Sequence, residues 1–502
     1  MPRQKSTKKK PRQEDGGQAL YDQALEEKTP SVKATLLRRA MKAGHLEAHA
    51  EYGLMLCEGR LGRSDVKEAL RIWRSAGDRG CGRSNYLAGV LAKQSGHYEV
   101  ATKLFTKSID NGYPEAHVDL GIMYSHGLGV EADLVKAAET FRRGQPHADP
   151  TFSLAICYQE GAGVEKDEVE AARLYKLAAA QGHGRAMTNL GNMYADGEGG
   201  LEKSEEEAVK LWKVAAEKGV PEAQGGLGRC YQYGSGGLKP DLDEALRLYR
   251  PAAEAGVASA QFDLASLLED GRGNLQRDIV EAARLYQLAA DQGHATACLL
   301  LGRMHDEGEH PGGGPDYTAA RDLYHRAITA GEKDDNAYDM AYASVWLGSL
   351  IERGLGGHQD FDEAAKLYRR AIIFGSPGAT ADAAYHLGSL YERGLGVETL
   401  DLDEALHYYA MADEHGSPDA EDAIQSLVDR GLISSSDKDH QSYRKIRVCA
   451  NCGLQTYEKL QKCARCRRAQ YCSRECQKEA WPAHRAVCHR RSAKQDLLTV
   501  PK

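Results

Sequence analysis

The residues best suited to chemistry lie close together near the end of the chain. Seven of the 12 cysteines and one histidine fall within the 40 residues from Cys449 to Cys488. Zinc takes four thiolate or imidazole ligands in a tetrahedron, and a C-x2-C turn presents two sulfurs to one ion. The cluster contains two such turns and two further pairs spaced by three residues, which puts both side chains of a pair on one face of a helix. Its eight candidate ligands are Cys449, Cys452, Cys463, Cys466, Cys472, Cys476, His484 and Cys488.

Eight ligands complete two four-coordinate sites, so we predict two zinc ions per chain. Closed coordination leaves no position for a substrate, which is typical of structural rather than catalytic zinc. Because the segment offers little apolar core, its folding should depend on the metal. A redox relay of C-x2-C pairs would need neither His484 nor the second set of pairs. Spacing alone permits two divisions of the ligands: a sequential one that joins the two C-x2-C pairs, and an interleaved one that joins the first pair with Cys472 and Cys476.

The sequence shows no pattern of a secretory signal or a membrane span. The amino-terminal residues are charged with no apolar stretch behind them, and no run of 18 or more apolar residues occurs. We therefore expect an intracellular protein, cytoplasmic or nuclear. In those reducing surroundings a dense cysteine cluster indicates metal binding rather than disulfides.

Charge is unevenly distributed along the chain. The net charge is −8, yet residues 441–502 carry +11 and residues 1–16 carry +4, which leaves −23 for the middle. Basic ends could recruit acidic partners, nucleic acid among them, although solubility and solvated tails are the simpler explanation. The basic residues around the zinc ligands lack interleaved aromatics and a groove-reading helix, so nucleic acid is the less favoured partner.

Between its two ends the sequence repeats a two-part unit. A segment such as LGNMYADGEGG at Leu190 or LGSLYERGLGV at Leu387 occurs ten times, at spacings of 32 to 46 residues. The two longest intervals contain insertions, among them HPGGGPDY and GEKDDNAYDMAYA. The second position of each segment is Gly53, Gly89, Gly121, Ala155, Gly191, Gly228, Ala265, Gly302, Gly348 or Gly388.

The second part of each unit is of the type EAARLYKLAAAQG, as found from Glu170 to Gly182. Its apolar residues recur at intervals of three and four, the period of a helix face, and charged residues fill the rest. Both parts are predicted to be helices. Small residues such as Gly191 and Ala215 should allow close helix packing, and Gly182 can end a helix in the left-handed conformation. A helix pair of this size cannot bury its apolar face alone, so neighbouring pairs must stack into an all-α solenoid.

These units resemble the Sel-1-like repeat, a longer-looped relative of the tetratricopeptide repeat. The resemblance rests on A-x3-LG-x2-Y-x2-G-x-GV followed by D-x3-A-x3-Y-x2-AA-x2-G, best seen from Glu115 to Gly293, and it covers residues 18–431. It implies an α-solenoid of helix-turn-helix repeats that holds other proteins on its concave face, without catalysis. Around it we expect a disordered basic tail over 1–17, a linker over 432–448, the zinc segment over 449–488 and a basic tail over 489–502.

Several residues within the repeats have simple structural explanations. The single cysteines Cys57, Cys81, Cys157, Cys230 and Cys298 show no mutual spacing and are predicted to be buried free thiols. His305, Asp306, Glu307 and His310 could suggest a metal, but they lack paired ligand spacing, and we expect a solvated loop there. The recurrent aromatic residues, predicted to be inter-helix core, are Tyr124, Tyr158, Tyr175, Tyr194, Trp212, Tyr231, Tyr249 and Tyr286.

The zinc segment resembles the MYND-type zinc finger at all eight ligand positions, through C-x2-C, C-x2-C, YC-x3-CQ and W-x2-H-x3-C. The resemblance implies interleaved ligands, with Cys449, Cys452, Cys472 and Cys476 on one zinc and Cys463, Cys466, His484 and Cys488 on the other. It also implies a protein-interaction module whose peptide groove is bordered by Gln477 and Trp481. A core position for Trp481 is the alternative.

Taken together, the sequence predicts a non-enzymatic zinc-binding scaffold or adaptor. Its repeats would hold protein partners, and its finger would recruit a short peptide motif of a second protein. The alternatives are a zinc-domain enzyme or a basic nucleic-acid-binding regulator. A ubiquitin ligase of the RING type should end in C-x2-C rather than H-x3-C, and the SET segment that a lysine methyltransferase needs is not found.

Overall fold

The computed structural model describes residues 15–334, residues 336–433 and four two-residue strands between 447 and 471. The chain divides into two compact units, one up to Pro240 and one from Asp241. The helices of the first unit are α1 (Asp15–Glu26), α2 (Pro30–Lys42), α3 (Glu47–Cys57), α4 (Val66–Gly77), α5 (Gly82–Gln94), α6 (Tyr98–Asp110), α7 (Ala116–His126), α8 (Leu134–Arg143), α9 (Ala148–Glu160), α10 (Glu168–Ala180), α11 (Gly184–Asp196), α12 (Glu205–Glu217) and α13 (Pro221–Tyr233).

The second unit contains ten described helices and the four short strands. The helices are α14 (Leu242–Glu254), α15 (Ala258–Asp270), α16 (Ile279–Asp291), α17 (Ala295–Glu307), α18 (Tyr317–Asp334), α19 (Ala337–Arg353), α20 (Phe361–Phe374), α21 (Pro377–Arg393), α22 (Leu402–Glu414) and α23 (Ala420–Asp429). The strands are β1 (Arg447–Val448), β2 (Gln455–Thr456), β3 (Gln461–Lys462) and β4 (Gln470–Tyr471).

The helices pack as stacked pairs, which confirms the predicted all-α repeat fold. We call the odd-numbered helices α3 to α21 first helices and the even-numbered helices α4 to α22 second helices. Within each unit, a first helix packs against the second helix of its own repeat and against the second helix of the repeat before it, as α11 does with α12 and α10. First helices of successive repeats also touch one another, as α7 does with α9 and α19 with α21. They therefore form one side of each unit, which we call the first-helix face.

An acidic or hydroxyl side chain begins most of the second helices. The Asp167 carboxylate accepts hydrogen bonds from the backbone N–H groups of Val169 and Glu170, both at 3.0 Å. Such a cap satisfies donors that have no partner inside the helix, and its charge suits the positive end of the helix dipole. The Glu170 carboxylate then pairs with Arg173 one turn later, at 2.7 Å. The other second helices of the described residues capped in this way begin after Asp65, Asp133, Ser204, Asp241, Asp278, Asp316, Asp360 and Asp401.

The glycine of the LG motif makes room for an aromatic ring. A Cβ atom at Gly191 would lie 2.5 Å from the indole nitrogen of Trp212, which donates a hydrogen bond to the Thr188 carbonyl oxygen at 3.2 Å. The room at Gly191 thus accommodates a side chain rather than a second backbone. The same contact recurs at Gly53 with Trp73, Gly89 with Phe105, Gly121 with Phe141, Gly302 with Tyr324, Gly348 with Tyr368 and Gly388 with Tyr409.

The two glycines of the G-x-G turn have different tasks. Gly161 ends α9 in the left-handed conformation, with φ of 73°. Gly163, also at 73°, lies directly over the first turn of α8 in the preceding repeat, where an added Cβ would overlap the Leu134 carbonyl. Gly396 meets the Phe361 carbonyl in the same way. The turn is therefore a contact between repeats as well as a helix stop.

In the second unit, a buried glutamate joins neighbouring repeats. The Glu352 side chain is only 12% exposed, accepts a hydrogen bond from the Tyr368 hydroxyl at 2.8 Å and pairs with Arg393 at 3.2 Å. Burial works to raise the pKa of Glu352, but hydrogen bonds from His386 and Tyr368 and the charge of Arg393 outweigh it and hold that pKa below its usual range. The equivalent sets are Tyr286, Glu269 and Arg303, and Tyr409, Glu392 and Arg430.

A histidine caps several first helices. The His183 Nδ1 atom accepts a hydrogen bond from the Ala186 N–H at 3.0 Å, and its ring stacks on Phe152 with centroids 4.4 Å apart. Burial lowers the pKa of His183. The Asp149 carboxylate, 3.3 Å away, works to raise this pKa, and the charge of Arg185 works to lower it further. His294 is placed in the same way, with its ring 4.7 Å from Phe262.

We expect Gly163→Ala to lower the stability of the first unit by about 2 to 4 kcal/mol, because the new methyl group overlaps a backbone that cannot move freely. Gly219→Ala is the matched control, since Gly219 is also left-handed, at φ of 78°, but faces open space. The control should lose only about 1 kcal/mol, the cost of the left-handed conformation. Urea unfolding followed by circular dichroism measures both. Equal losses would show that the contact between repeats contributes nothing.

We expect His183 to make the stability of the first unit sensitive to acid. Its folded pKa lies below the unfolded value of about 6.5, so its contribution is complete above that pH and is lost as the pH falls through the folded pKa. His183→Asn keeps a cap acceptor without titrating. The difference in melting temperature between wild type and this variant should therefore change between pH 7.5 and pH 5. An identical pH profile for His183→Asn and wild type would contradict the prediction.

Candidate functional site

The first-helix face of the first unit contains a groove between α7 and α9. The groove has a volume of about 600 Å³, with Val118 and Ile122 on one wall and Phe152 and Ile156 on the other. Exposed polar and charged side chains also line it, namely His126, Asp149, Glu160 and Arg185. The position of Ile122 and Ile156 in the repeat is polar in the neighbouring first helix, where it is Asn192. The groove can therefore accept an apolar side chain from a partner while its exposed polar side chains contact polar groups.

The predicted aromatic positions separate into two sets. On the second helices, Tyr175, Tyr249 and Tyr286 are fully buried and Trp212 nearly so, which confirms the prediction of inter-helix core. The aromatic residues of the first helices are half-buried instead, and basic groups of the preceding second helix contact two of them. Arg142 donates to the Tyr158 hydroxyl at 3.1 Å, and the Lys176 ammonium lies 5.6 Å from the centre of the Tyr194 ring. The half-buried set comprises Tyr124, Tyr158, Tyr194 and Tyr231.

The single cysteines of the repeats are unpaired thiols, as predicted. Cys81, Cys157, Cys230 and Cys298 are buried, whereas Cys57 is half-buried. Burial raises the pKa of Cys157 to about 11 and that of Cys298 to about 11. A thiol in this state is a poor nucleophile at neutral pH, so these cysteines serve packing rather than reaction.

The group around His305 is not a loop, contrary to the sequence-based expectation. His305, Asp306 and Glu307 form the last turn of α17, because the helix continues to the Gly308 stop. The His305 ring stacks on His310 with centroids 4.2 Å apart, and the His310 nitrogens face the Gly314 carbonyl oxygen and the Gly312 N–H. No group of three or more metal-binding side chains occurs in the described part of the chain, this turn included.

The eight candidate zinc ligands and the candidate peptide-binding residues Gln477 and Trp481 lie outside the described residues. What is described nearby are two antiparallel strand pairs. Arg447 and Val448 pair with Thr456 and Gln455, while Gln461 and Lys462 pair with Tyr471 and Gln470. Strand β1 lies beside β4, which places Val448 near Tyr471. These two residues directly precede Cys449 and Cys472 in the sequence.

The described helices include none that is both long enough and apolar enough to span a bilayer.

Comparison with known families accounts for both parts of the chain. Residues 449–488 match the model of the MYND finger. Nine segments match the model of the Sel1 repeat, and together they cover more than half of the chain. They are residues 46–81, 114–142, 151–183, 184–220, 221–257, 258–294, 295–332, 341–372 and 381–417. No curated protein matches the chain significantly.

Similar solved structures include two bacterial repeat proteins. A protective antigen of uropathogenic Escherichia coli strains, which displays an SLR fold, is 23% identical over 93% of this chain and 98% of its own, with a TM-score of 0.49. A Sel1 repeat protein from Oxalobacter formigenes is 29% identical over 48% of this chain and 96% of its own, with a TM-score of 0.43.

The matching segments coincide with the stacked helix pairs, and the finger model spans the eight candidate zinc ligands from the first to the last. The chain belongs to the Sel1 repeat family, and it carries a MYND zinc finger after its repeats.

Proposed function

We propose that the protein is a non-enzymatic adaptor that brings two proteins together. The repeats bind one partner through the first-helix face, and the finger binds a short peptide motif of a second. The observation that carries this proposal is the joining in one chain of two kinds of protein-interaction module, the Sel1 repeats and the MYND finger. The groove between α7 and α9 supplies a surface suited to the first of these tasks.

The chemistry of the finger's donors supports two zinc sites. Seven thiols and one imidazole are the ligands that suit zinc, and eight of them complete two tetrahedra. In the proposed arrangement, Cys449, Cys452, Cys472 and Cys476 hold one ion, and Cys463, Cys466, His484 and Cys488 hold the other. The proximity of β1 to β4 supports it, because these strands directly precede Cys449 and Cys472. Bound zinc would supply cross-links that fold the segment rather than a reaction centre.

The peptide site of the finger is assigned to Gln477 and Trp481. The two residues are four positions apart, so on a helix they share a face. An indole ring presented in this way is a suitable surface for stacking a proline ring of a bound peptide.

The described residues favour binding over catalysis. Groups with shifted pKa values belong to contacts between repeats, as Glu352 does, or are enclosed in a helix pair. Burial lowers the pKa of His407 to about 4, and burial together with neighbouring acids raises that of Glu404 to about 7. Both lie on α22, where the His407 side chain is buried in the packing of the repeat. Such shifts fit packing of the repeat array.

Metal analysis of double variants tests the zinc sites and their ligand division. Wild type should contain two zinc ions per chain by atomic emission. In the interleaved arrangement, Cys449→Ser with Cys472→Ser damages a single site and should leave about one ion, because the other four ligands are intact. Cys449→Ser with Cys463→Ser damages both sites and should leave none.

The sequential arrangement predicts the reverse order for these two double variants, so the pair of measurements distinguishes the two schemes. A wild-type content of one ion would contradict the assignment of two sites.

Affinity purification tests the two binding surfaces separately. Trp481→Ala should lose the partners recruited by the finger and keep those of the repeats, because the two surfaces lie on different modules. Ile156→Glu places a charge in the groove between α7 and α9 and should do the opposite. Asn192→Glu, at the same repeat position on α11 but exposed, is the matched control.

Recovery of the same proteins with wild type and with Trp481→Ala would show that the finger is not a recruiting element. If either variant kept its partners but lost an enzymatic activity that wild type has, the adaptor proposal would be contradicted.

A further inference from the structure

The insertion between α18 and α19 builds helix rather than loop. Most first helices have 11 or 13 residues, but α19 and α21 each have 17 and begin about one turn earlier in the repeat. The added turn of α19 carries Tyr338, and Tyr342 and Trp346 follow at intervals of four residues. Residues at this spacing stand above one another on one side of a helix. The three rings therefore form a row, which we call the aromatic ladder.

The rings of the ladder are in contact with one another. The centroids of Tyr338 and Tyr342 are 4.7 Å apart, and those of Tyr342 and Trp346 are 5.8 Å apart, with interplanar angles of 48° and 55°. Trp346 continues the row into the core, where its ring lies 5.7 Å from Tyr324. Tyr338 is 56% exposed at the other end. The ladder is thus anchored at one end and open to solvent at the other.

A glycine on the next first helix makes room for the ladder. A Cβ atom at Gly378 of α21 would lie 2.5 Å from the Tyr342 hydroxyl oxygen. The neighbouring helix therefore leaves room for this ring between α19 and α21. A tyrosine lodged between two helices in this way holds a fixed orientation, which lowers the entropy lost when a ligand stacks on it.

The fold itself does not require aromatic residues at these positions. Six residues before the motif glycine or alanine, where α19 has Tyr342, the other first helices have polar or charged residues. These are Glu47, Arg83, Glu115, Asp149, Arg185, Glu222, Ser259, Thr296 and Asp382. Because nine repeats stack without an aromatic ring here, the exposed ring of Tyr338 and the half-buried ring of Tyr342 point to binding rather than packing.

A free positive charge lies on the same face of α19. Arg353 follows Trp346 by seven residues, or two helical turns, and its side chain is exposed. Within the described residues, no ion pair or hydrogen bond engages its guanidinium. The half-buried Asp306 carboxylate is near enough for the charge of Arg353 to act on its pKa, against the larger effect of burial, which raises it. Arg393 occupies the equivalent position on α21, where it pairs with Glu352 and is still 47% exposed. Most of the other first helices have acidic residues at this position, among them Glu160, Asp196, Asp270 and Glu307.

We propose that the aromatic ladder and Arg353 bind an extended, proline-containing segment of a partner protein that carries an acidic residue at one end. Tyrosine and tryptophan rings are the surfaces on which proline rings stack, and a proline-rich chain is already extended before it binds. The 15-residue separation of Tyr338 and Arg353 corresponds to roughly 22 Å along the helix, the length of about seven residues of polyproline II. The proposal rests on the adaptor function and names the kind of partner that the repeats take.

The protein's own terminal segments are poor occupants of this surface. Residues 1–14 and 434–502 are rich in Lys and Arg, which Arg353 would repel, and their prolines stand singly rather than in runs. An acidic segment of another protein complements the charge of Arg353, whereas these segments do not.

Calorimetric titration with a defined peptide tests the proposal. The probe is an eight-residue peptide of six prolines followed by two aspartates, and its comparison has two lysines instead. We expect the acidic peptide to bind wild type with a dissociation constant below about 1 mM at low salt, and the lysine peptide to bind more weakly. Tyr338→Ala with Tyr342→Ala should weaken binding about tenfold or more, as removal of stacked aromatic anchors does. Arg353→Glu should weaken binding of the acidic peptide but not of the lysine peptide.

Two controls separate loss of binding from loss of fold. Tyr338→Ala alone removes an exposed ring, so it should leave the melting temperature unchanged and still weaken binding several-fold. Tyr233→Ala removes a tyrosine that is 65% exposed at the end of α13 and belongs to no ladder, and it should bind as wild type does.

Absence of binding to wild type, or equal weakening by Tyr233→Ala, would overturn the proposal. A change of oligomeric state in the ladder variants without a change in peptide affinity would also overturn it and identify a contact between copies. All titrations are repeated in a Trp481→Ala background, which removes the proline-stacking ring proposed for the finger, so that the ladder variants report on the ladder alone and failure of the ladder proposal does not affect the finger. Conversely, an affinity purification that recovers no partner would contradict the adaptor function, but it would not change the affinity of the ladder for the peptide in the calorimetric titration.

Discussion

In seven of the repeats an aromatic ring of the second helix lies against a glycine of the first helix, where only a hydrogen atom leaves room for it. This contact brings the two helices of a pair close together and fixes their rotation, so the small residues of the second helix, such as Ala215 and Ala371, are buried as well. The helix faces that remain apolar then have only the next pair to pack against. Stacking of repeats follows from that geometry, and with it the row of first helices on one side of each unit.

The elements of this arrangement that repeat in the sequence could be predicted, because a contact made in every repeat imposes a period on the residues. The helix pairs, the motif glycines, the buried second-helix aromatics and the stop at Gly182, with φ of 85°, are of this kind. The finger could be predicted for another reason, since the spacing of metal ligands is itself constrained. The family model over residues 449–488 agrees with that prediction, while the ligand division stays a prediction.

The features that were missed depend on residues of neighbouring repeats. Glu352 links neighbouring repeats only because Tyr368 and Arg393 contact it, and these residues lie 16 and 41 positions away in the sequence. The aromatic ladder was missed because its residues fall in an insertion, where the period that reveals the other contacts is interrupted. The last turn of α17 was taken for a loop for the same reason. A single repeat motif carries no information about the side chains that the next repeat presents to it.

The hydrogen-bonded side chains that join neighbouring repeats are neutral in some repeats and charged in others. In the first unit, Tyr175 donates to the Gln159 side-chain oxygen at 2.6 Å and accepts from Asn189 at 3.1 Å, a neutral set in the place of the Tyr, Glu and Arg sets of the second unit. A hydrogen bond between neutral groups responds little to salt or to protonation, whereas a buried carboxylate with a cationic partner loses its advantage when it is neutralised.

The additional turn of α19 shows how such an array can acquire a new surface at small cost. A helix that grows at its free end keeps the rise and rotation of the residues already packed, so the neighbouring pairs retain their alignment. The extra residues need only satisfy their own backbone, which they do by continuing the helix. The array can thus present a new surface by adding a turn to a first helix, as in α19 and α21, while the pattern that holds the pairs together is left as it was.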